Sequence, residues 1–504
     1  MDNAPEKISA FEKRIKRQVI GKPHRFLAVV PLGFEQTFVD ELDCLRRKTW
    51  FGRLANQDER RKLESGDESA ESFDIKITGD GKVEFTAKLV EAWKIAAYSR
   101  IANRIQMHIA DFKAENFRDL ERKAAEIPWE LYLLDERRKT KDERHVHIHV
   151  TCKHSRLYHS DAVAERLQTV IEAGSAPTPR HPELDSGSDH LPIPECHSDE
   201  GQNRLPSPEQ NIFVTLIDDR CTIWLDLAGE ELYKRGHERF VNDAPLKETI
   251  AAAMLFESTK IADAPVALFD LMAGSGTFSL EAAYIANRLI PGVCRDFALK
   301  HQPAFKEPTW RFILDERRGS TDSADSAGSS TGSSTGSPTE TKDERDDVFD
   351  ERVVKIVTSD ISEKAVGIIK HNVESAPLPA GTIDPQVRDF FSYTAKEIAD
   401  ACPGETSPVI LLNPPYGKRL DVDAPALYKR LGRRLAELAR ALDSLGKKLT
   451  VGILAPRDIP ASKYTCTANL LRECPALDPH RNPNVKFVVT SHGGLTLNAI
   501  FATI

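Results

Sequence analysis

The chain has 504 residues, 40% hydrophobic and 29% charged, with a formal charge of −8. That length holds two or three domains with sizeable cores, and the charge excludes an overtly basic nucleic-acid binder, although much of the acid lies outside the expected cores. The eight cysteines form no Cys-x-x-Cys pair, so neither zinc nor disulfides are expected. With no run of about 18 apolar residues and no apolar leader core, a cytoplasmic protein with no membrane contact and no metal is expected.

Residues 1–24 are mixed in charge and read as a flexible tail. An apolar strand over 25–31 follows. Gly33 then opens a helix that carries Phe34, Phe38, Leu42 and Leu45 at three- and four-residue spacing. Residues 73–77 and 83–87 alternate around Gly79-Asp80-Gly81, the pattern of a hairpin. Residues 25–90 therefore read as a ferredoxin-like strand, helix and hairpin. A helix running into a strand is expected over 87–110. Residues 145–150 alternate histidine with aliphatic residues, which describes a strand with one wet face rather than a metal site. Residues 174–209 are rich in Pro, Ser, Glu and His without an apolar period and read as a disordered insert. Strands at 212–216 and 221–227, around Asp218-Asp219-Arg220, complete a second region over 91–230.

The third region spans 231–504. Pro245 is expected to open a helix over 244–256. Residues 266–283 then read as strand, glycine loop and helix, with Asp270 at the strand end. Gly274 and Gly276 let backbone approach a ligand closely at the helix N-terminus. No Gly-Lys-Ser/Thr follows, and Gly-x-Gly-x-x-Gly is incomplete, so this is neither a phosphate loop nor a dinucleotide loop. An acid just before the glycines suits a ligand with an ammonium group; S-adenosylmethionine has one, together with a sulfonium. Beyond a low-complexity insert at 318–347, a strand over 353–360 ends in Asp360, and a short strand precedes Asp389-Phe390. The apolar run 409–412 ends in Asn413-Pro414-Pro415-Tyr416. Its prolines stiffen the turn and, lacking N–H groups, present carbonyl oxygens. Asn413 adds an amide and Tyr416 a flat ring. Together they suit a planar group with an exocyclic NH2, whose hydrogens they accept while the ring stacks. A helix over 427–445, a strand over 449–454 and a hairpin at 485–489 and 495–501 close the region.

Residues 270–277 followed by Asn413-Pro414-Pro415-Tyr416 resemble the class I S-adenosylmethionine-dependent amino-methyltransferases. More narrowly, residues 26–504 resemble the THUMP-containing RNA guanine-N2 methyltransferases, particularly the bacterial 23S ribosomal RNA family, through blocks 232–236 and 244–249. The resemblance implies an α/β fold. Its C-terminal part is a Rossmann-like, mostly parallel seven-stranded sheet with a terminal antiparallel hairpin, and an α+β ferredoxin-like and THUMP-like region precedes it. It implies S-adenosyl-L-methionine as cofactor and RNA as partner. Leu271 and Ala273 stand where the family usually shows Pro and often Cys, which touches loop stiffness more than chemistry. Relatives with a second methyltransferase domain need a longer chain, so one catalytic domain is expected.

On this resemblance, Asp270 and the backbone of Ala273, Gly274, Ser275, Gly276 and Thr277 hold the methionyl end, with Pro245 at the same site and Glu281 in reach of the ammonium. Asp360 accepts from the ribose, Ile361 packs on the adenine, and Asp389, beside Phe390, accepts the adenine amino group. Asn413, Pro414, Pro415 and Tyr416 are the catalytic set. Arg100, Arg104, Lys153, Arg156, Tyr158, Lys418 and Arg419 are the expected RNA contacts, through phosphate neutralisation and stacking. The tetrapeptide also suits adenine N6, a protein glutamine amide or a transfer-RNA guanine. An RNA-binding module with an inactive methyltransferase fold is the non-enzymatic rival.

Overall fold

The chain's strand-forming runs assemble into two seven-stranded sheets. The computed structural model describes residues 9–47, 74–133, 146–174, 210–236, 239–241, 245–262, 265–315, 352–416, 423–458 and 465–504.

The first sheet contains β1 (Pro23–Val29), β2 (Ile75–Gly79), β3 (Lys82–Lys88), β4 (Arg104–Lys113), β5 (Val146–Lys153), β6 (Gln210–Ile217) and β7 (Arg220–Asp226), in the order β2-β3-β1-β4-β7-β6-β5. β1 lies between β3 and β4 and is antiparallel to both. The helices Glu35–Arg47 and Leu89–Tyr98 make the crossovers, which is the split arrangement of a ferredoxin-like unit. The unit therefore does not close at residue 90, because β4 is its fourth strand. The other edge of β4 pairs with β7, so the two expected N-terminal regions share one sheet.

Residues 9–20 are not a tail. Ser9 and Glu12 form a capping box at the start of the Ala10–Ile15 helix, and Ile15 and Val19, four residues apart on one face, are buried in the core.

The second sheet contains β8 (Val266–Asp270), β9 (Val353–Asp360), β10 (Gln386–Val387), β11 (Ser407–Leu412), β12 (Thr450–Pro456), β13 (Lys486–His492) and β14 (Leu495–Thr503), in the order β10-β9-β8-β11-β12-β14-β13. β10, β9, β8, β11 and β12 run parallel; β14 is antiparallel to β12 and to β13. This is the expected Rossmann-like sheet with a reversed hairpin. β8, β11 and β12 read as nearly unbroken apolar runs because helices cover both faces. Leu268, Val409, Leu411 and Leu454 join one core with Ile250 and Phe278. Phe269, Ile410, Leu412 and Ile453 join the other with Tyr428, Leu431 and Leu470.

The helix expected over 244–256 runs from Glu248 to Ala262. Its first bonds are those of the Ile250 and Ala251 amides to the Lys247 carbonyl, which leaves Pro245 in the preceding loop. Gly33 (φ +82°) lets the first sheet's unit approach the terminal hairpin; a Cβ there would sit 2.3 Å from the Val489 carbonyl oxygen. Buried Glu257 fastens the same junction, accepting from Thr37 Oγ1 at 2.6 Å and pairing with Lys486 at 2.6 Å.

Cys44, Cys152, Cys221, Cys402, Cys466 and Cys474 form no disulfide, but Cys294 is disulfide-bonded, against the expectation of no disulfides. Among the described residues no helix is long and apolar enough to cross a membrane.

Candidate active site

Strand order reverses between β8 and β11, and a ligand crevice opens beyond the strand C-termini at such a point. The parallel ladders align what emerges there. β8 pairs with β9 at Asp270↔Thr358 and with β11 at Phe269↔Ile410. Carrying both registers forward sets Met272 level with Asp360 on one side and Asn413 on the other. Two strand spacings, about 10 Å, separate those outer positions.

Between them lies the glycine loop. Gly274 (φ +59°) and Gly276 (φ +78°) occupy the left-handed region, and a Cβ on Gly276 would press on the Ile369 side chain at 3.1 Å. The Ala273 amide donates to the Ser359 carbonyl at 3.1 Å, and the Gly274 amide donates to Asp360 Oδ2 at 2.9 Å. Asp360 Oδ1 accepts from the Ser362 amide at 2.9 Å. Ser362, not Asp360, caps the Glu363–Ser375 helix. Each carboxylate oxygen keeps a free lone pair, and Ile361 beside it is 69% exposed. Asp389 Oδ1 accepts from the Phe391 amide at 3.0 Å. Phe390 is a buried core residue packed with Phe269 and Leu271, not a ligand contact.

Asp270 is buried, and its Oδ2 accepts from the Ser279 amide at 3.1 Å and the Ser279 hydroxyl at 2.7 Å. Burial pushes its carboxyl up to about 7; the Ser279 bonds oppose the rise and the Asp360 charge adds to it. A folded-state pKa above the ordinary 3.8 means that the stabilisation is fully present below pH 3.8 and is lost as pH rises through 7. Asp270→Asn keeps an acceptor oxygen without the titrating charge. Urea unfolding should therefore show the variant gaining on the native protein between pH 5 and pH 8. A gap that is the same at both pH values contradicts this assignment.

Glu281 does not face the loop. It is fully buried, accepting from Arg235 Nε at 2.9 Å and Nη2 at 3.1 Å, with Arg100 Nη1 at 3.6 Å. One turn into its helix, it meets the cations that join the two halves of the chain. Arg100 is accordingly buried and also donates to the carbonyls of Tyr284 and Leu289, so it is no RNA contact. Arg104 is likewise committed, to Asp226 at 2.8 Å and the Gly229 carbonyl at 2.7 Å, with its guanidinium over the Phe213 ring. Lys153 and Arg156 are exposed and Tyr158 is 69% exposed. Arg156 pairs with Glu115 and lies 3.7 Å from Asp219. Lys418 and Arg419 lie outside the described residues.

Asn413 follows β11 with its Oδ1 buried and without a hydrogen-bond partner among the described residues. Buried acceptors are normally satisfied, and among the described residues this one is not. Pro414 is buried, Pro415 half-buried, and Tyr416 packs half-buried against the core, where burial raises its phenol pKa.

Arg239, which the sequence does not mark, also reaches the loop. It donates to Thr277 Oγ1 at 2.6 Å and contacts Ser275 Oγ at 3.3 Å and the Ser275 carbonyl at 3.4 Å, while pairing with Glu248. Asn372 supports the same carbonyl at 3.2 Å. Pro245 lies nearby in sequence, its carbonyl bonded to His492.

Residues 235–448 match the RMKL-like methyltransferase domain model. The ribosomal RNA large subunit methyltransferase K/L of Allochromatium vinosum is 28% identical over 365 residues, covering 71% of this chain and 42% of its own length. That of Methylococcus capsulatus is 28% identical over 460 residues, covering 89% and 50%. The chain thus spans about half the length of these curated relatives. A solved protein assigned as a methyltransferase and complexed with SAH superposes with a TM-score of 0.60 at 21% identity, covering 96% of this chain and 98% of that one, which shows a shared fold. With the strand order, the crevice and these matches in agreement, residues 235–448 are similar to the RMKL-like methyltransferase domain in sequence and share a methyltransferase's fold.

Proposed function

We propose that the chain is an S-adenosylmethionine-dependent RNA methyltransferase that modifies the exocyclic N2 amino group of a guanine in 23S ribosomal RNA. The observation that carries this reading is the unpartnered, buried Asn413 Oδ1 at a proline-stiffened strand end, aligned with a glycine cradle at the switch point. The curated relatives named as large-subunit ribosomal RNA methyltransferases support the choice of RNA.

The cradle fits the cofactor. Positive-φ glycines bring bare backbone to a ligand, and Asp360 keeps lone pairs for ribose hydroxyls. Bound there, S-adenosylmethionine supplies an electrophilic methyl group. Asn413 Oδ1 and the Pro414 carbonyl accept the hydrogens of the flipped-out base's amino group, and the Tyr416 ring flanks its plane. Holding the NH2 by its hydrogens leaves the nitrogen lone pair free to attack. The proton then leaves to water, so no dedicated base is required. Catalysis is chiefly positioning, a term worth roughly 7–11 kcal/mol in favourable cases.

Lys153, Arg156 and Tyr158, exposed on the THUMP-like region, supply RNA contacts. Lys153→Glu should weaken RNA binding about severalfold and flatten its salt dependence while leaving SAH affinity unchanged; filter binding across a salt series measures this.

The decisive experiment is tritiated methyl transfer to RNA fractions, followed by nucleoside analysis. N2-methylguanosine in 23S RNA is expected. Label in N6-methyladenosine or in transfer RNA changes the substrate, and no label together with no SAH binding ends the enzymatic reading.

A further inference from the structure

Arg239 stands at the glycine cradle with a donor left over. Its side chain is only 10% exposed. One arm pairs with Glu248 and another donates to Thr277 Oγ1 and contacts Ser275, yet Nε is buried with no hydrogen-bond partner among the described residues. A buried guanidinium N–H without an acceptor is costly, and a guanidinium is shaped to pair with a planar carboxylate. Across the loop, Asp270 accepts from Ser279, and Asp360 accepts from the Gly274 and Ser362 amides. Neither is hydrogen-bonded to Arg239, and with no acceptor among the described residues Nε is left open to one carried by a ligand.

Resting on the methyltransferase reading, we propose that Arg239 receives the α-carboxylate of the methionyl portion of the cofactor and so selects ligands that carry it. The Ser275 and Thr277 contacts hold the guanidinium at the loop, and Glu248 fixes its orientation from the N-terminus of the Glu248–Ala262 helix. The bland alternative, a strut between linker and loop, predicts a different pattern of binding.

The test is calorimetric titration of the native protein, Arg239→Met and Arg239→Lys with two ligands. One is SAH; the other is S-adenosyl-3-thiopropylamine, which keeps the ammonium and lacks the carboxylate. The native protein should favour SAH by about tenfold to a hundredfold, the range of a charge-assisted hydrogen bond. Arg239→Met should bind the amine within about twofold of the native protein and lose the preference for SAH. Arg239→Lys, with a point charge but no fork, should keep part of it. Equal weakening of both ligands in Arg239→Met, with the preference intact, overturns the proposal in favour of the strut. Loss of all binding in Arg239→Met while Arg239→Lys keeps the full native preference overturns it too. A native protein that binds neither ligand overturns the methyltransferase reading itself, a result distinct from either of these.

Discussion

Asn413→Ala is expected to lower the rate of methyl transfer by about 10²–10³-fold, the loss seen when one preorganised polar group is removed from a reacting centre. Its affinity for SAH should stay within about twofold of the native value. The separation follows from the layout. The glycine cradle hangs on Asp360, Ser359 and Asn372, none of which bonds to Asn413. Truncation removes one acceptor for the amino hydrogens, and the nitrogen lone pair is no longer aimed. It also removes a buried polar atom without a protein partner, so the fold should not suffer. Single-turnover transfer and calorimetry on the same preparation measure both quantities. Native-like turnover would dismiss Asn413 as the amine-holding group.

Glu281→Ala is expected to cost about 3–5 kcal/mol of stability, because it strands Arg235 and Arg100 as buried charges. Replacing both members, Glu281→Leu with Arg235→Met, should recover much of that loss, since an apolar pair of similar volume carries no desolvation cost. Urea unfolding of the single and double variants reads the coupling directly. If Glu281 instead held a ligand ammonium, its removal would weaken SAH binding and barely move the unfolding midpoint. The ion cluster also joins the two halves of the chain, because Arg235 donates to the Arg100 carbonyl at 2.9 Å. The Glu281→Ala protein should therefore unfold less cooperatively, with tryptophan fluorescence and circular dichroism midpoints separating.

Much of the architecture was legible because local rules and tertiary packing agreed. The continuous apolar runs of β8 and β11, each halted by a glycine loop or prolines, already locate the ends of two neighbouring strands of a parallel sheet. The ferredoxin-like hairpin was equally plain from alternation and a Gly-Asp-Gly turn. The boundary at residue 90 was misplaced, because β4 serves two units through its two edges and pairing partners leave no mark on a single strand's sequence. Residues 9–20 look like a tail in sequence because a short helix with few buried apolar positions has little periodicity to show.

The charged residues divide along the same line. Sequence by itself determined which segments form strands and loops, and it placed Asp270, the glycines, Asp360 and the Asn413 turn at strand ends, because backbone chemistry and apolar period act over a few residues. Only the tertiary structure decided which charges are spent. Arg100, Arg104 and Glu281 look like ligand contacts in one dimension and prove to be buried or half-buried partners of distant groups, while Arg239, in a patternless linker, reaches the cradle. The physical reason is that an ion pair depends on distance in space, and residues from about forty to well over a hundred positions apart leave no trace of each other in the chain between them.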